Sequence, residues 1–272
     1  MGAPKVWFSA LVTAANLALA ATVGLRLVWR ARRGDSGPEI WLSGYFLCGA
    51  FLSSLVNIVL YSSLGEAGLA ISPEAFSIAL TGSAFATGVA GTCVYVFNWK
   101  TFRAGSPGAR ALVIGAAGVF AATWAFQAAT GRFVLVVMPG AAFWIERSAF
   151  FGGFAWAAAE SFRYHASLRR RLRIGLAEPV LVNRLWLWGA WASATGLLAV
   201  SELVARVAYV WTTGETQLVL VDRAMPIIVA TVATTSIVGS FAVASLWLTF
   251  FPSRRYLAWI ARRQPVGAGH PA

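Results

Sequence analysis

Seven long runs of apolar residues dominate this sequence. They cover 7–29, 40–63, 76–99, 110–130, 140–162, 185–211 and 224–250. Each run is long enough to cross a bilayer as a helix, which takes about 20 mainly apolar residues. The breaks between them carry turn-forming residues, such as Ser72-Pro73-Glu74, Gly105-Ser106-Pro107-Gly108 and Glu178-Pro179. The pattern predicts an all-α integral membrane bundle of seven transmembrane helices.

Composition supports a membrane location. Hydrophobic residues make up 58% of the chain and charged residues only 12%, whereas soluble proteins run at about 25% charged. No water-soluble core of this size could bury so much apolar surface. We expect one seven-helix domain, 1–250, followed by a basic cytoplasmic tail, 251–272, because the remaining segments are too short to hold another domain.

Lysine and arginine placement predicts the orientation. The side opposite the basic clusters receives only Lys5, Arg132 and Arg223. The clusters follow the first, third, fifth and seventh runs: Arg26, Arg30, Arg32 and Arg33; Lys100, Arg103 and Arg110; Arg163, Arg169, Arg170, Arg171, Arg173 and Arg184; Arg254, Arg255, Arg262 and Arg263. By the positive-inside rule the N-terminus is outside and the C-terminus is cytoplasmic. The first run continues to Trp29, which favours a retained helix over a cleaved signal peptide. The pattern is typical of a multi-pass protein of the bacterial inner membrane.

Several well-known membrane chemistries lack the residues they require. The run 224–250 has no lysine for the Schiff base of a retinal protein. The only histidines are His165 and His270, which excludes bis-histidine haem and zinc sites on facing helices. The only aspartates, Asp35 and Asp222, fall on opposite predicted sides, which excludes a paired-aspartate protease. We therefore predict no cofactor, metal or catalytic residue, and the sequence does not indicate an enzyme.

Four ionisable residues fall inside predicted helices, where charges are costly and are functional candidates by default. Glu146 and Arg147 lie in the fifth run, and Glu202 and Arg206 lie in the sixth. The spacing of Glu202 and Arg206 places them on one helical face, so they can pair. All four are expected in the outer half of the bundle. Glu202, for example, lies roughly 13 Å along the helix from Trp211, which is predicted to be at the outer end of that helix.

Polar residues of other helices are expected at the same depth. They are Gln127 and Trp124 in the fourth run, Asn57 and Tyr61 in the second, and Asp222 and Arg223 before the seventh. One interpretation is a ligand site, in which Arg147 or Arg206 holds an anionic or polar group. The other is an interior network of ion pairs that locks the fifth and sixth helices together. Both hold if a satisfied network lines a cavity.

The connecting segment between the fifth and sixth runs, roughly 163–184, is strongly basic. Its arginines Arg169, Arg170, Arg171 and Arg173 are predicted to contact anionic lipid headgroups at the cytoplasmic face, or alternatively to dock a cytoplasmic partner protein. Glu160, just before the segment, is expected to pair with an arginine of a connecting segment. Because the net charge of +12 is explained by topology, nucleic acid is not an expected partner.

The third run is rich in small residues, which let helices approach closely. They are Gly82, Ala84, Ala86, Gly88, Ala90 and Gly91. This pattern predicts a central helix surrounded by protein, unless it only reflects an alanine-rich composition. Cys48 and Cys93 lie within apolar runs and are interpreted as small buried hydrophobic residues.

The plan of short loops, tryptophan-rich helices and arginines at each inward helix end resembles the seven-helix sensor region of some bacterial histidine kinases. The stretch Val94-Tyr95-Val96-Phe97-Asn98-Trp99, leading into Lys100, is similar in texture to the third helix there. The resemblance implies a membrane receptor or sensor that binds a small or lipidic ligand. No kinase domain follows the seventh run, so signalling would need a separate partner protein. The alternatives are a small-solute transporter or channel, and an accessory subunit of a larger membrane complex.

Overall fold

The computed structural model describes residues 3–33, 37–62, 71–131, 140–214 and 225–262. Within these ranges the chain forms seven long helices and one short helix, and no strand, so the all-α fold is confirmed. The helices are α1 (Ala3–Arg33), α2 (39–62), α3 (Pro73–Phe102), α4 (Pro107–Ala129), α5 (Ala141–Leu172), α6 (Pro179–Thr213), α7 (Met225–Phe250) and α8 (Arg254–Arg262). The middle of α2, Tyr45–Ser53, is π-helical.

Five of the described helices are long and apolar enough to cross a membrane. The spans are Glu39–Leu60, Glu74–Phe102, Pro107–Ala129, Pro179–Thr213 and Val229–Phe250. Five such helices in one chain mark it as a membrane protein. α5 is longer than most of them but is not one of the five, and its apolar segment is interrupted by Glu146 and Arg147.

The turn residues between the apolar runs act as helix caps. Ser72 precedes α3 and Ser106 precedes α4, and each hydroxyl accepts a hydrogen bond from the backbone N–H three residues on, at 3.2 and 3.3 Å. A proline follows each serine, at the first helical position, where its missing N–H is not needed. α6 ends at Gly214, whose φ of 73° a residue with a side chain rarely adopts.

α5 and α6 are longer than their apolar runs. Hydropathy predicts that 163–184 is a connecting segment, but α5 continues to Leu172 and α6 begins at Pro179. That expectation is wrong because charge ends an apolar run without ending a helix, and arginine, leucine and alanine all favour helix. The connection proper is only 173–178. The predicted tail likewise contains α8, and its residues 263–272 lie outside the described ranges.

Six of the long helices form a closed ring. α1 contacts α2, α2 contacts α3, α3 contacts α5, α5 contacts α6, α6 contacts α7, and α7 returns to α1. Among the described helices α4 packs mainly against α3 and α5, so it lies outside the ring. The main apolar core draws on the six ring helices, and a smaller core joins α4 to α3 and α5.

Aromatic side chains fill one end of the ring, where α6 begins and α7 ends. Trp188 and Trp191 of α6 lie 4.8 Å apart between ring centroids, and Trp191 also contacts Tyr45 and Phe46 of α2 at 5.6 and 5.7 Å. Phe154 of α5 lies 5.6 Å from Trp191. The clustered arginines also lie at this end of the bundle, so we call it the basic end. We call the opposite end, where α6 ends and α7 begins, the site end.

α3 and α5 run in the same direction and are joined along their length. Four side-chain hydrogen bonds connect them: Tyr95 Oη to Ala149 O (2.7 Å), Asn98 Nδ2 to Gly153 O (2.9 Å), Arg103 Nε to Glu160 Oε1 (2.7 Å) and Tyr164 Oη to Phe102 O (3.2 Å). The predicted pairing of Glu160 with an arginine of a connecting segment is therefore confirmed, and this carboxylate raises the pKa of Arg103 above its ordinary value.

α3, predicted to be a central helix, is the most buried of the five candidate spans. Half of the apolar window of α3 is buried, against 17–29% in the other four candidate spans. The glycines contribute unequally to this packing. A Cβ at Gly91 would meet the ring of Phe120 at 2.5 Å, whereas a Cβ at Gly82 would meet nothing within 4 Å.

Candidate functional site

The buried carboxylate of α5 lies where α5 contacts α4. Glu146 is 7% exposed, and its Oε2 accepts a hydrogen bond from Gln127 Nε2 at 3.1 Å. Gln127 follows Thr123 by one turn on α4, and Nε2 is also 3.3 Å from Thr123 O. The carboxylate therefore has a polar partner on a neighbouring helix, which a buried polar group needs.

The charges of α6 form the ion pair that their spacing predicts. Arg206 Nη2 lies 2.8 Å and Nε 3.2 Å from Glu202 Oε1. The side chains of Arg206 and Glu202 are 23% and 40% exposed, so the pair lies at the edge of the protein. It is formed within one helix, and so it does not by itself hold α6 to α5.

Phe143 brings the charges of α5 and α6 together. The guanidinium carbon of Arg147 lies 5.1 Å from the Phe143 ring centroid, and that of Arg206 lies 5.1 Å from the same centroid. Both distances allow cation–π attraction. Arg147 also attracts Glu146 and Glu202 electrostatically. We call Gln127, Phe143, Glu146, Arg147, Glu202 and Arg206 the charged cluster.

Arg147 is the least satisfied member of the charged cluster. Its Nε is buried and has no hydrogen-bond partner among the described residues. Neither of the two ion pairs found in the described ranges includes Arg147. Because a guanidinium has five donors and no acceptor, a site with an unfilled Nε matches an incoming carboxylate or phosphate oxygen.

Two other predicted site residues contact different groups. Trp124 Nε1 donates to Thr81 O at 3.1 Å, and its ring meets Phe85 edge-on. Asn57 Oδ1 accepts a hydrogen bond from Ser83 Oγ at 3.2 Å. In the described part of the chain, no hydrogen bond joins Trp124 or Asn57 to the charged cluster. The side chain of Tyr61, and Asp222 with Arg223, lie outside the described residues.

Sequence reasoning missed two features of this region. Phe143 carries no signal on its own in an apolar run, although its spacing of four residues from Arg147 places both on one helical face. The second feature is a group of hydroxyls between α2 and α3. Ser53 Oγ lies 2.9 Å from Ser83 Oγ and 2.8 Å from Thr87 Oγ1, at the end of the π-helical segment.

The basic residues predicted to contact lipid or a partner lie at the opposite end. Arg169, Arg170, Arg171 and Arg173 are all exposed at the end of α5. In the ranges that the structure covers, no group of three or more histidine, cysteine, aspartate or glutamate side chains could hold a metal ion.

No protein family, curated protein or solved structure matches this chain.

Proposed function

We propose that this protein is a seven-helix membrane receptor that binds the anionic group of a small or lipidic ligand at the charged cluster. The observation that carries the proposal is the buried Nε of Arg147, which has no partner in the described chain. Phe143 lies 5.1 Å from the same guanidinium, where cation–π attraction restrains the arginine side chain. A donor held in place before the ligand arrives gains affinity, because less ordering remains to be done on binding.

Among the described residues, the charges of α5 and α6 are not joined by ion pairs between the two helices. Glu146 is hydrogen-bonded to Gln127 of α4, and Glu202 is paired with Arg206 of its own helix. This arrangement leaves Arg147 available, which favours a ligand site over a purely structural role.

A receptor is favoured over a transporter by the aromatic filling of the basic end. Rings from α2, α5 and α6 pack against one another across the ring of helices there. A solute that entered at the site end would meet this packed layer. The likeness in layout to histidine-kinase sensor regions supports the same choice, with signalling through a separate protein.

The proposal includes seven spans, an outer N-terminus and a cytoplasmic C-terminus in a bacterial inner membrane. α1 and α5 add to the five apolar helices to give this count, and the exposed arginines at the basic end support the orientation. Single cysteines at Thr130 and Ala104, in a chain whose Cys48 and Cys93 are changed to alanine, test it. A membrane-impermeant maleimide added to intact cells should label T130C and should label A104C only after permeabilisation. The reverse pattern would exclude the orientation.

Ligand binding is tested by thermal unfolding of the purified full chain in detergent. The probes are inorganic phosphate, acetate, oleate and a lysophosphatidic acid. A probe at about 100 times its Kd should stabilise the protein by about 2.7 kcal/mol. Arg147→Gln and Arg147→Lys should lose this shift, whereas the exposed control Arg170→Gln should keep it. The proposal fails if no probe stabilises the wild type, or if the shift survives in Arg147→Gln.

A further inference from the structure

The hairpin formed by α5 and α6 projects beyond the end of α3 at the basic end. α3 ends level with Glu160 and Tyr164 of α5, since Arg103 pairs with Glu160 and Tyr164 Oη reaches Phe102 O. α5 then continues for eight residues past Tyr164 to Leu172. Those residues extend about 12 Å along the helix axis.

The projection is held together as a small structural unit. His165 Nδ1 of α5 lies 2.9 Å from Val182 O of α6, which joins the two helices near their tip. α8 packs alongside α6, where Asn183 Nδ2 donates to Tyr256 Oη at 2.7 Å. Ile260 of α8 is 6% exposed, so its apolar face is covered.

The backbone at the end of α5 has a fixed conformation. Gly175 has a φ of 74°, its N–H donates to Leu172 O at 3.1 Å, and the next N–H, of Leu176, donates to Arg171 O at 2.9 Å. These two hydrogen bonds define a Schellman motif. In that motif the side chain at the position of Leu176 commonly packs on an apolar residue at the position of Arg171. Here Leu176 is instead 73% exposed, and Ile174 is 69% exposed.

Four exposed arginines lie within seven residues of these two apolar side chains in the chain. Arg169, Arg170, Arg171 and Arg173 all face solvent. We call residues 169–176 the hairpin tip. Apolar anchors inside a charged rim are the usual anatomy of a protein–protein interface, and a fixed backbone lowers the ordering cost of binding.

The depth of the hairpin tip argues against lipid as its partner. The apolar span of α3 ends at Phe102, and the charge of Arg103 follows directly. The headgroup layer beyond the hydrocarbon is about 5–8 Å thick on each side. The end of α5 at Leu172 lies about 12 Å past Tyr164, the residue that is level with Phe102. Ile174 and Leu176 follow Leu172, so we expect these two side chains to stand in water beyond the headgroups.

We propose that the hairpin tip is a docking site for an acidic segment of a soluble partner protein. Ile174 and Leu176 would enter an apolar pocket of the partner, and the four arginines would pair with aspartate and glutamate side chains around that pocket. The inference rests on the projection, the exposure and the charge of the hairpin tip, and it stands whether or not Arg147 binds a ligand.

The test places a photo-crosslinking benzophenone amino acid at position 176 of the full chain, in the membrane of the organism that encodes it. Ala104 serves as the matched control position, because it is exposed in the α3–α4 connection at the same end. A second chain carries the benzophenone at 176 together with R169Q, R170Q, R171Q and R173Q. All four arginines are exposed, so this chain should keep the thermal stability of the parent.

The expected result is a discrete protein adduct at 176 that is absent at 104, and a yield at least tenfold lower in the four-glutamine chain. The cross-linked peptide of the partner should carry a net negative charge. Adducts to lipid, an adduct that persists without the four arginines, an adduct to a basic or neutral segment, or no adduct would each overturn the proposal.

Discussion

The contact between α3 and α5 makes the substitution Gly152→Ala a sharp test of the packing. A Cβ at Gly152 would lie 2.8 Å from Tyr95 Oη, closer than real Cβ contacts come. Tyr95 has little freedom to move, because its hydroxyl donates to Ala149 O at 2.7 Å and its ring packs between Phe120 and Trp156. We therefore expect Gly152→Ala to strain this contact.

Two opposing effects set the size of the change. Overpacking of a well-packed site costs about 1–3 kcal/mol, and replacing a helical glycine with alanine returns about 0.5–1 kcal/mol. The free energy of unfolding of Gly152→Ala should therefore fall by up to about 2.5 kcal/mol. Tyr95→Phe alone should cost about 0.5–1.5 kcal/mol, because it removes a hydrogen bond. The double variant no longer contains the clashing oxygen, so it should be no less stable than Tyr95→Phe.

The assay is reversible unfolding of the four proteins of this double-mutant cycle in mixed detergent micelles. The coupling between the two sites should be about 1–3 kcal/mol and favourable. Gly118→Ala is the control, because a Cβ at that helical glycine meets nothing within 4 Å. Additive effects of Gly152→Ala and Tyr95→Phe, or an equal loss of stability in Gly118→Ala, would refute the packing argument.

Three further predictions concern named side chains. Arg103→Gln should lower the melting temperature, since Glu160 is only 5% exposed and loses its ion-pair partner. Adding Glu160→Gln should recover part of that loss, and a further drop in the melting temperature would contradict the pairing. Phe143→Leu removes the ring that faces Arg147 and Arg206 and should cost about 0.5–2 kcal/mol for each cation–π interaction, measured by thermal unfolding, whereas Phe143→Tyr should be close to wild type. Tyr256→Ala should release α8 from Asn183 and make trypsin cleavage at Arg254 and Arg255 several-fold faster; an unchanged cleavage rate would show that the hydrogen bond does not hold α8.

The membrane class and most of the helix order could be predicted because both follow from local properties. Apolar runs of sufficient length identify helices in lipid without any knowledge of their neighbours. Ser72, Ser106 and Gly214 set boundaries through hydrogen bonds and backbone angles within a few residues of themselves. The pair Glu202–Arg206 belongs to the same category, because i, i+4 spacing alone brings it together.

Features that depend on how helices are arranged could not be predicted. Nothing in the fourth apolar run marks α4 as the helix outside the ring, since its exposure depends on where α3 and α5 meet. Asn57 and Gln127 were equivalent as sequence candidates, yet Gln127 faces Glu146 and Asn57 faces Ser83. The apolar run predicts too short an α5 for a different reason. Hydropathy indicates which residues of a helix lie in lipid, and it does not indicate where the helix ends.

The closure of the ring between its first and last helices has a consequence for synthesis of the chain. Arg26 of α1 donates to Phe250 O and lies 4.7 Å from the ring centroid of Phe251, more than two hundred residues later. We therefore expect α1 to lack this partner during synthesis until the last ring helix has been made. We expect nascent chains that stop before α7 to remain bound to an insertion factor or to be degraded. The contact between α1 and α7 should form only after α7 has been inserted.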